Sequence, residues 1–451
     1  MATVDNIDWP SRKDLSTEDQ KEEMVAIMER AKWLNLNAVI LQVRPSCDAI
    51  YPSKIEPWTE YLTGLQGRAP SPNYDPLKFA VQEAHKRGLE LHCWFNPYRA
   101  KHFVQKGPVA ANHVSKTHPS WVKSYGKYLW LDPGVPEVAD RSLAVIQDVV
   151  RRYDIDGVHI DDYFYPYPEG GKPFPDDDSY AAYQHRGGML ERSDWRRHCV
   201  NEFVHRMYTS VKQIKPWVKM GISPFGIYRP GVPEGIKSGV DQYAELYADA
   251  DKWLKEGWCD YFTPQLYWAI APKAQSYPTL LHWWREQNVL NRHLWVGNYT
   301  GRTQAGEAKW KPDEILNQIS LTRAGAIDTG NVHFSMKCLM TNFDGISDAL
   351  KNGPYANPRF VPASPWLSDS VPAKPRLNLP VVGKDGHVVS WKASRLVTLY
   401  AVAEELNGAW GPWKPVGETS VIVRAPATWV AIKAINRFGA ESQPATLQLM
   451  R

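Results

Sequence analysis

The sequence predicts an α/β protein made of a (β/α)8 TIM barrel followed by a small all-β sandwich domain. Two observations support this: short apolar runs alternate with helical periods along most of the chain, and helical periods are absent after a proline-rich stretch. With 451 residues the chain is longer than a domain with a single hydrophobic core usually is, so two domains are expected. We predict a barrel over residues 1–355, a linker over 356–375 and a fibronectin type III-like sandwich over 376–451.

Eight short apolar runs are the candidate barrel strands. Several are continuous rather than alternating, as expected for parallel strands that are covered on both faces. They lie at residues 2–9, 38–43, 90–96, 157–161, 219–224, 261–267, 294–298 and 332–336. A doubly wound open sheet is the alternative, but it would usually carry a Gly-rich phosphate-binding turn after its first strand, and this sequence has none there.

Helical periods with recognisable start signals separate these runs. Ser16 and Thr17 open overlapping capping boxes, and a stripe of apolar residues follows them. Asp75 and Pro76 have the residue types of an N-cap and a first helical position. Further stripes begin at Val138, at Phe203 and at Tyr243, the last of them running through Tyr247, Ala250 and Leu254.

The final region contains only strand-like runs. They lie at residues 388–391, 398–404, 421–423, 429–435 and 446–449, and we expect Trp391 to be a core ring. The sequence assigns no chemistry to this region, which would serve as a spacer or as a module that contacts glycan.

Composition narrows the classes of partner. The net charge of +4 comes without a long basic run, so nucleic acid and anionic membrane surfaces are not indicated. No apolar stretch has the length of a membrane span. The five cysteines are scattered, which disfavours a disulfide framework and a zinc site. Trp (20) and Tyr (22) outnumber Phe (12), and such amphipathic rings suit clefts that bind sugars.

The most informative segment is Ile-Asp-Gly-Val-His-Ile-Asp-Asp-Tyr-Phe-Tyr-Pro-Tyr-Pro, from Ile155 to Pro168. An apolar strand ends there in two adjacent carboxylates, Asp161 and Asp162, each of which should raise the pKa of the other. Paired carboxylates with unequal pKa values suit general acid/base chemistry on glycosidic bonds. A loop cap or a structural cation site would explain the pair equally well.

Polar and aromatic side chains follow nearly every predicted strand. In a TIM barrel these carboxyl ends form the rim that carries the active site. Besides the aspartate pair, the candidate substrate-binding residues are Gln42, Arg44, Trp94, Asn96, Tyr98, Arg99, Asp132, His159, Tyr163, Gln265, Tyr267, Trp268 and Asn298. The occurrence of so many polar and aromatic residues at one rim is stronger evidence for an active site than any single residue among them.

The sequence lacks the residues that several known hydrolytic mechanisms require. No strand end carries a Glu, which disfavours retaining glycosidases that use two Glu residues. No His-rich metal motif, Gly-x-Ser-x-Gly elbow or cofactor signature is present, so neither a metal nor a cofactor is predicted. One acid beside a second carboxylate, without a separate nucleophile, fits substrate-assisted hydrolysis, in which an N-acetyl group of the sugar attacks its own anomeric carbon.

Four segments resemble the glycosyl-hydrolase-like family 10 (GHL10, formerly DUF187). They are T-V-D-N-I-D-W-P-S, L-N-A-V-I-L-Q-V-R-P, E-A-H-K-R-G-L-E-L-H-C-W-F-N-P-Y-R and D-G-V-H-I-D-D-Y-F-Y-P-Y-P. The resemblance covers about residues 1–350 and implies a TIM barrel that acts on cell-wall glycan, above all on peptide-free peptidoglycan strands. It also implies that Asp161 and Asp162 are the family's acidic motif.

The resemblance further implies an exported protein. No export signal is recognisable at the start of this chain, so we expect an extracytoplasmic location with the signal absent, and a cytoplasmic location stays open. Two alternatives to a glycosidase of N-acetylated glycan also stay open. One is a barrel that binds glycan without catalysis, and the other is a hydrolase of a different polysaccharide with an Asp nucleophile.

Overall fold

The protein is described from a computed structural model, which covers residues 1–304, 310–324, 329–394 and 397–449. The first ten strands are β1 (Ala38–Arg44), β2 (Glu90–Phe95), β3 (Arg99–Lys101), β4 (Val122–Tyr125), β5 (Tyr128–Leu131), β6 (Gly157–Ile160), β7 (Lys219–Ile222), β8 (Tyr261–Phe262), β9 (His293–Asn298) and β10 (Thr329–His333). Within the described residues, seven of them form one curled parallel sheet in the order β1-β2-β6-β7-β8-β9-β10. This confirms the TIM-barrel class.

Helices lie between these strands, as the periodicity predicts. They are α1 (Thr17–Trp33), α2 (Glu60–Thr63), α3 (Pro76–Lys86), α4 (Val114–Thr117), α5 (Pro136–Arg152), α6 (Asp177–His185), α7 (Arg192–Ile214), α8 (Ala250–Lys255), α9 (Tyr277–Gln287), α10 (Pro312–Arg323), α11 (Met336–Thr341) and α12 (Ile346–Asn352). Strands β3, β5 and β4 form a small antiparallel sheet beside them.

The start signals of α1 and α3 act as the sequence predicts. The Ser16 hydroxyl accepts a hydrogen bond from the Asp19 backbone N–H at 3.1 Å, and Asp75 Oδ1 accepts one from the Lys78 N–H at 3.0 Å. The fifth predicted stripe is only partly helical. Tyr243 and Tyr247 precede α8, and Tyr247 has a positive φ of 54°, which interrupts a helix at that point.

The first predicted strand, at residues 2–9, is wrong. A single 3-10 turn at Val4–Asn6 takes its place, and Asp5 has a φ of 56° that no strand accommodates. A side chain explains the difference: Gln42 Oε1 accepts hydrogen bonds from the backbone N–H groups of Thr3 and Val4, at 2.9 and 2.8 Å. These N–H groups are therefore bound to a side chain instead of to a neighbouring strand.

The barrel interior below the site is filled by aromatic rings and imidazoles. The Tyr261 ring stacks on Trp295 at 4.5 Å and lies 5.2 Å from the His92 ring. Glycines on neighbouring strands make room for them, since a Cβ at Gly221 would lie 1.9 Å from the Tyr261 ring and one at Gly157 would lie 2.4 Å from His92. The interior is therefore a packed core that supports the rim.

The C-terminal region is all β and confirms the predicted sandwich. Its strands are β11 (Val381–Gly383), β12 (Gly386–Ser390), β13 (Val397–Leu406), β14 (Ala409–Trp410), β15 (Lys414–Val416), β16 (Ser420–Val423), β17 (Ala427–Asn436) and β18 (Ala445–Gln448). One antiparallel sheet has the order β11-β12-β16, and the other has the order β14-β13-β17-β18 with β15 paired to β13. Trp391 is buried in the core of this region, as predicted. The fibronectin type III topology stays a prediction.

The chain divides into two compact units. The first comprises Met1–Ile27, Ile40–Val81 and Leu91–Ser347, and the second comprises Met28–Val39, Gln82–Glu90 and Asp348–Arg451. The predicted boundaries at residues 355 and 375 stay predictions. Within the described residues, no helix has both the length and the apolar character required to cross a membrane.

Candidate active site

Three polar side chains from three neighbouring strands form one layer at the top of the barrel. Phe95 of β2 pairs with Ile160 of β6, so the next residues along each strand, Asn96 and Asp161, also lie side by side. Asn96 Nδ2 contacts both oxygens of Asp161, at 2.9 and 2.8 Å. Gln42 of β1 donates to Asn96 Oδ1 at 2.5 Å. The structure thus brings together residues that the sequence assigns to one rim.

The orientation of both amides in this layer follows from their partners. Gln42 Oε1 accepts from two backbone N–H groups, so its Nε2 must face Asn96. Asn96 Oδ1 accepts from Gln42 Nε2 and from the Arg99 guanidinium at 2.7 Å, so its Nδ2 must face Asp161. Asp161 is therefore held by donors, and the Tyr163 backbone N–H adds one more at 3.3 Å.

Asp162, the second carboxylate, has hydrogen-bond donors from other elements than those that hold Asp161. Tyr167 Oη donates a hydrogen bond to Asp162 Oδ2, and the Gln265 side chain also bonds Asp162. Gln265 follows β8, and its Nε2 donates to the backbone oxygen of Ser223 at 2.9 Å. Donors from the ends of β2 and β8 and from the loop after β6 thus converge on the pair.

Burial raises the pKa of both carboxyls of the pair. Asp161 and Asp162 are only 7% and 6% exposed. Burial, and after it the neighbouring carboxyl, raises the pKa of Asp161 to about 7, although Arg99 and Asn96 act in the opposite direction. Burial likewise raises the pKa of Asp162, against the hydrogen bonds from Tyr167 and Gln265. Both carboxyls are therefore harder to ionise than a free aspartate.

His159 lies on β6 two residues before Asp161, so the two side chains lie on the same side of the strand. Its Nδ1 lies 3.0 Å from Tyr261 Oη, and its ring stacks on the Tyr261 ring at 5.7 Å. Burial, followed by the neighbouring His92, lowers the pKa of His159 to about 3, so this imidazole is neutral above that pH. A neutral imidazole bonded to a buried phenol supports the floor of the site, and a contact of His159 with sugar stays a prediction.

Half-buried aromatic rings surround the acids. Tyr163 and Tyr167 pack edge to face at 5.6 Å, and the Arg99 guanidinium lies 5.2 Å from the Tyr163 ring centre. The Phe225 ring contacts both the Tyr167 and the Trp268 ring. On the opposite strands, the Tyr267 ring lies 5.1 Å from Tyr299 and 6.1 Å from Phe334. Such rings offer apolar faces to a sugar and polar edges to its hydroxyls.

The indole N–H of Trp94 donates no hydrogen bond within the described residues. Trp94 lies on β2 in register with His159 of β6 and is half-buried against Val4 and its neighbours. Its indole Nε1 is buried and has no hydrogen-bond partner among the described residues. A buried donor without a partner costs free energy, so a polar ligand atom at this position would be stabilised.

Arg44 lies at the rim but its donors are already used. It is fully buried and forms a bidentate pair with Glu56, at 2.8 and 2.5 Å. The same guanidinium donates to the carbonyl oxygens of Asn96 and Pro97, at 2.6 and 3.0 Å. In this structure Arg44 therefore holds the end of β2 in place, and its expected contact with sugar stays a prediction.

Three further predicted residues lie away from this layer. The fully buried Tyr98 ring packs against Phe203 of α7 at 5.3 Å. The Asp132 carboxylate accepts from Ser179 Oγ at 2.7 Å and from the Gly134 N–H at 2.9 Å. The Asn298 amide donates to Gln318 of α10 at 2.8 Å. These contacts give all three residues structural partners in the helices and loops around the sheet.

Two residues that contact the predicted site residues, Tyr167 and Glu56, were not among those predicted from the sequence. Tyr167 is the last tyrosine of the segment after the aspartate pair, so its position in that segment was an available signal. Glu56 lies in a loop twelve residues after Arg44, and no local pattern identifies it as the partner.

Comparisons with known proteins agree with this architecture. Residues 1–310 match the family model described as Glycosyl hydrolase-like 10. Glycosyl hydrolase YngK of Bacillus subtilis is 42% identical over 401 residues, which cover 87% of this chain and 78% of that protein. Glycosyl hydrolase DigH of Escherichia coli strain K12 is 34% identical over 340 residues, which cover 70% of this chain and 75% of that protein.

Among solved structures, the glycoside hydrolase domain of PgaB (BpsB) from Bordetella bronchiseptica is similar in fold. It superimposes with a TM-score of 0.51 at 14% identity, over 75% of this chain and 94% of that one. At this level of identity the likeness shows a shared barrel fold and nothing about residue roles.

Proposed function

This chain belongs to the glycosyl hydrolase-like 10 family, and from that premise we propose that it is a glycoside hydrolase acting on an N-acetylated bacterial cell-wall glycan. The substrate that we propose is the peptide-free glycan strand of peptidoglycan, encountered outside the cytoplasm. The observation that supports catalysis is the buried Asp161/Asp162 pair, whose pKa values are both raised. Acid catalysis of glycoside cleavage requires a carboxyl group that is protonated near neutral pH.

The two carboxyls have different surroundings, which supports different roles. Asp161 is held by Asn96 Nδ2 and the Tyr163 N–H, so its oxygens are fixed acceptors at the strand end. A fixed acceptor can receive the N–H of a substrate acetamide and orient its carbonyl oxygen toward the anomeric carbon. We therefore propose Asp161 as the orienting carboxylate.

Asp162 is the proposed general acid. It donates its proton to the leaving glycosidic oxygen as the C–O bond breaks, while the acetamide oxygen forms the new bond to the anomeric carbon. Water then opens this cyclic intermediate and returns a proton to Asp162. Tyr167, through its hydrogen bond to Asp162 Oδ2, is a positioning residue in this scheme.

The test is incubation of the purified protein with peptide-free glycan strands, with product masses read by mass spectrometry. We expect shorter oligosaccharides from the wild type and none from the double variant Asp161→Asn/Asp162→Asn. Strands that sediment with the protein but stay intact would contradict this proposal and would indicate the non-catalytic alternative. A glycosyl adduct trapped on either aspartate would instead indicate an Asp nucleophile and would contradict assistance by the acetamide.

A further inference from the structure

The outer face of the five-stranded C-terminal sheet carries an unusual concentration of tryptophan. Residues 376–451 contain four tryptophans, of which Trp391 lies in the core with Tyr400, Val402 and Val430. Because side chains alternate along a strand, residues one position from these core residues face the other side of the sheet. Trp410, Trp413 and Trp429 lie on that outer side.

The strand register aligns two of these rings in one row. Trp410 of β14 pairs with Glu405 of β13, Glu405 pairs with Trp429 of β17, and Trp429 pairs with Gln448 of β18. Directly paired residues share a face, so the row across four strands alternates between a ring and a hydrogen-bonding side chain. Trp410 is 50% exposed, Trp429 is half-buried and Gln448 is exposed.

A second cluster extends the same face. Lys433 pairs with Ala401 two rows away, which places its side chain on the outer side as well. Its Nζ lies 4.4 Å from the Trp413 ring centre and 3.1 Å from the Glu441 carboxylate. Thr428 Oγ1 donates to Glu405 Oε2 at 2.5 Å and restricts the acid between the two rings of the first row.

We propose that this tryptophan face, defined by Glu405, Trp410, Trp413, Trp429, Lys433 and Gln448, binds an extended β-1,4-linked chain of N-acetylhexosamine. Two interstrand steps separate Trp410 from Trp429, about 10 Å, which is close to the length of one disaccharide unit in such a chain. Rings at this spacing stack on alternate sugars, while Glu405 between them and Gln448 beyond Trp429 bind hydroxyl and acetamido groups. This inference rests on the proposed function for the identity of the polymer.

The chemistry of the face favours glycan over a membrane or an apolar protein groove. Charged groups of both signs lie between the rings, so the apolar area is divided into ring-sized patches. Exposed aliphatic side chains occur elsewhere in this region, at Leu379, Val381 and Val382 near and on β11, which belongs to the other sheet. They provide a matched control.

The experiment measures co-sedimentation of the full chain with two insoluble probes, peptide-stripped peptidoglycan and chitin. All proteins carry Asp162→Asn, so that turnover does not consume the probes. We expect Trp410→Ala/Trp429→Ala to weaken binding about tenfold or more, and Val381→Ala/Val382→Ala to leave it unchanged. In the background with Asp162 intact, the tryptophan double variant should hydrolyse a short soluble oligosaccharide at the wild-type rate.

Equal binding by the tryptophan variant and its parent would overturn the inference, as would an equal loss in the valine control. Loss of binding to phosphatidylglycerol vesicles with unchanged binding to glycan would also overturn it, in favour of a membrane contact. If Trp429→Ala lowers the Tm, the half-exposed Trp410→Ala alone serves as the test. Co-sedimentation measures binding alone, so this part of the experiment is independent of whether the barrel proves to hydrolyse glycan.

Discussion

Buried carboxylates occur in two kinds of surroundings in this barrel. Glu56 and Asp176 each lie 2.5 Å from a dedicated arginine, Arg44 and Arg196, and both arginines also donate to backbone carbonyl oxygens nearby. Asp161 and Asp162 are equally buried, yet in the described part of the chain neither has a cation within ion-pair distance. Their hydrogen-bond partners are neutral donors, and the charge of Asp162 raises the pKa of Asp161.

Burial without an arginine also raises the pKa of Asp48 and of Asp132, so the aspartate pair is distinguished by having two such carboxyls on adjacent residues. A buried carboxylate paired with its own arginine holds two segments of the chain together. The aspartate pair lacks that compensation, so burial raises both pKa values and favours the protonated form of each carboxyl. Arg99, which contacts Asn96 and Tyr163, moderates this effect from a distance.

The strongest test of this contrast is Asp162→Asn. We expect turnover to fall by about 10²–10⁴-fold, because the leaving oxygen loses its proton donor, while the Tm changes little. Rates of glycan cleavage together with thermal melts measure both quantities. The matched control is Asp140→Asn, which alters an exposed partner of Arg206 and should leave both unchanged. Turnover at the wild-type rate in Asp162→Asn would exclude it as the acid.

The converse test is Glu56→Gln. Because Arg44 would remain buried without its counter-charge, we expect a loss of about 3–5 kcal/mol in the free energy of unfolding. Denaturant melts measure this loss, and Asp140→Asn again serves as the reference for an exposed pair. An unchanged melt would show that the Glu56–Arg44 pair does not stabilise the fold.

A smaller effect is expected from Tyr167→Phe, and it concerns pH. The Tyr167 hydroxyl donates to the Asp162 carboxylate and so favours its ionised form. Its removal should raise the pKa of Asp162 further, so the proton is kept to higher pH and the alkaline limb of the pH–rate profile moves up by about half a unit or more. Tyr125→Phe is the matched control, since Tyr125 Oη bonds Lys172 and Glu169 in the same loop. A downward shift, or an equal shift in the control, would contradict the role assigned to Tyr167.

Much of this site could be predicted because periodicity and parity are local properties. Apolar runs located most of the barrel strands, and the ends of these runs carry Gln42, Asn96 and Asp161, which hydrogen bonds join in the structure, and Gln265, which bonds Asp162. The capping residues Ser16 and Asp75 were equally readable. The first predicted strand failed because a side chain, Gln42, takes the N–H groups that a strand would have used.

The amino-acid sequence by itself determined the alternation of strands and helices, the all-β character of the last region and the adjacency of the two aspartates, because these depend only on residue order. Only the tertiary structure decided which polar residues reach those aspartates. Tyr167 and Gln265 do so, whereas Arg44 is bound to Glu56 and Asn298 to Gln318. The physical reason is that a hydrogen bond or an ion pair depends on where loops distant in sequence bring two groups together, and burial then sets the charge that those groups carry.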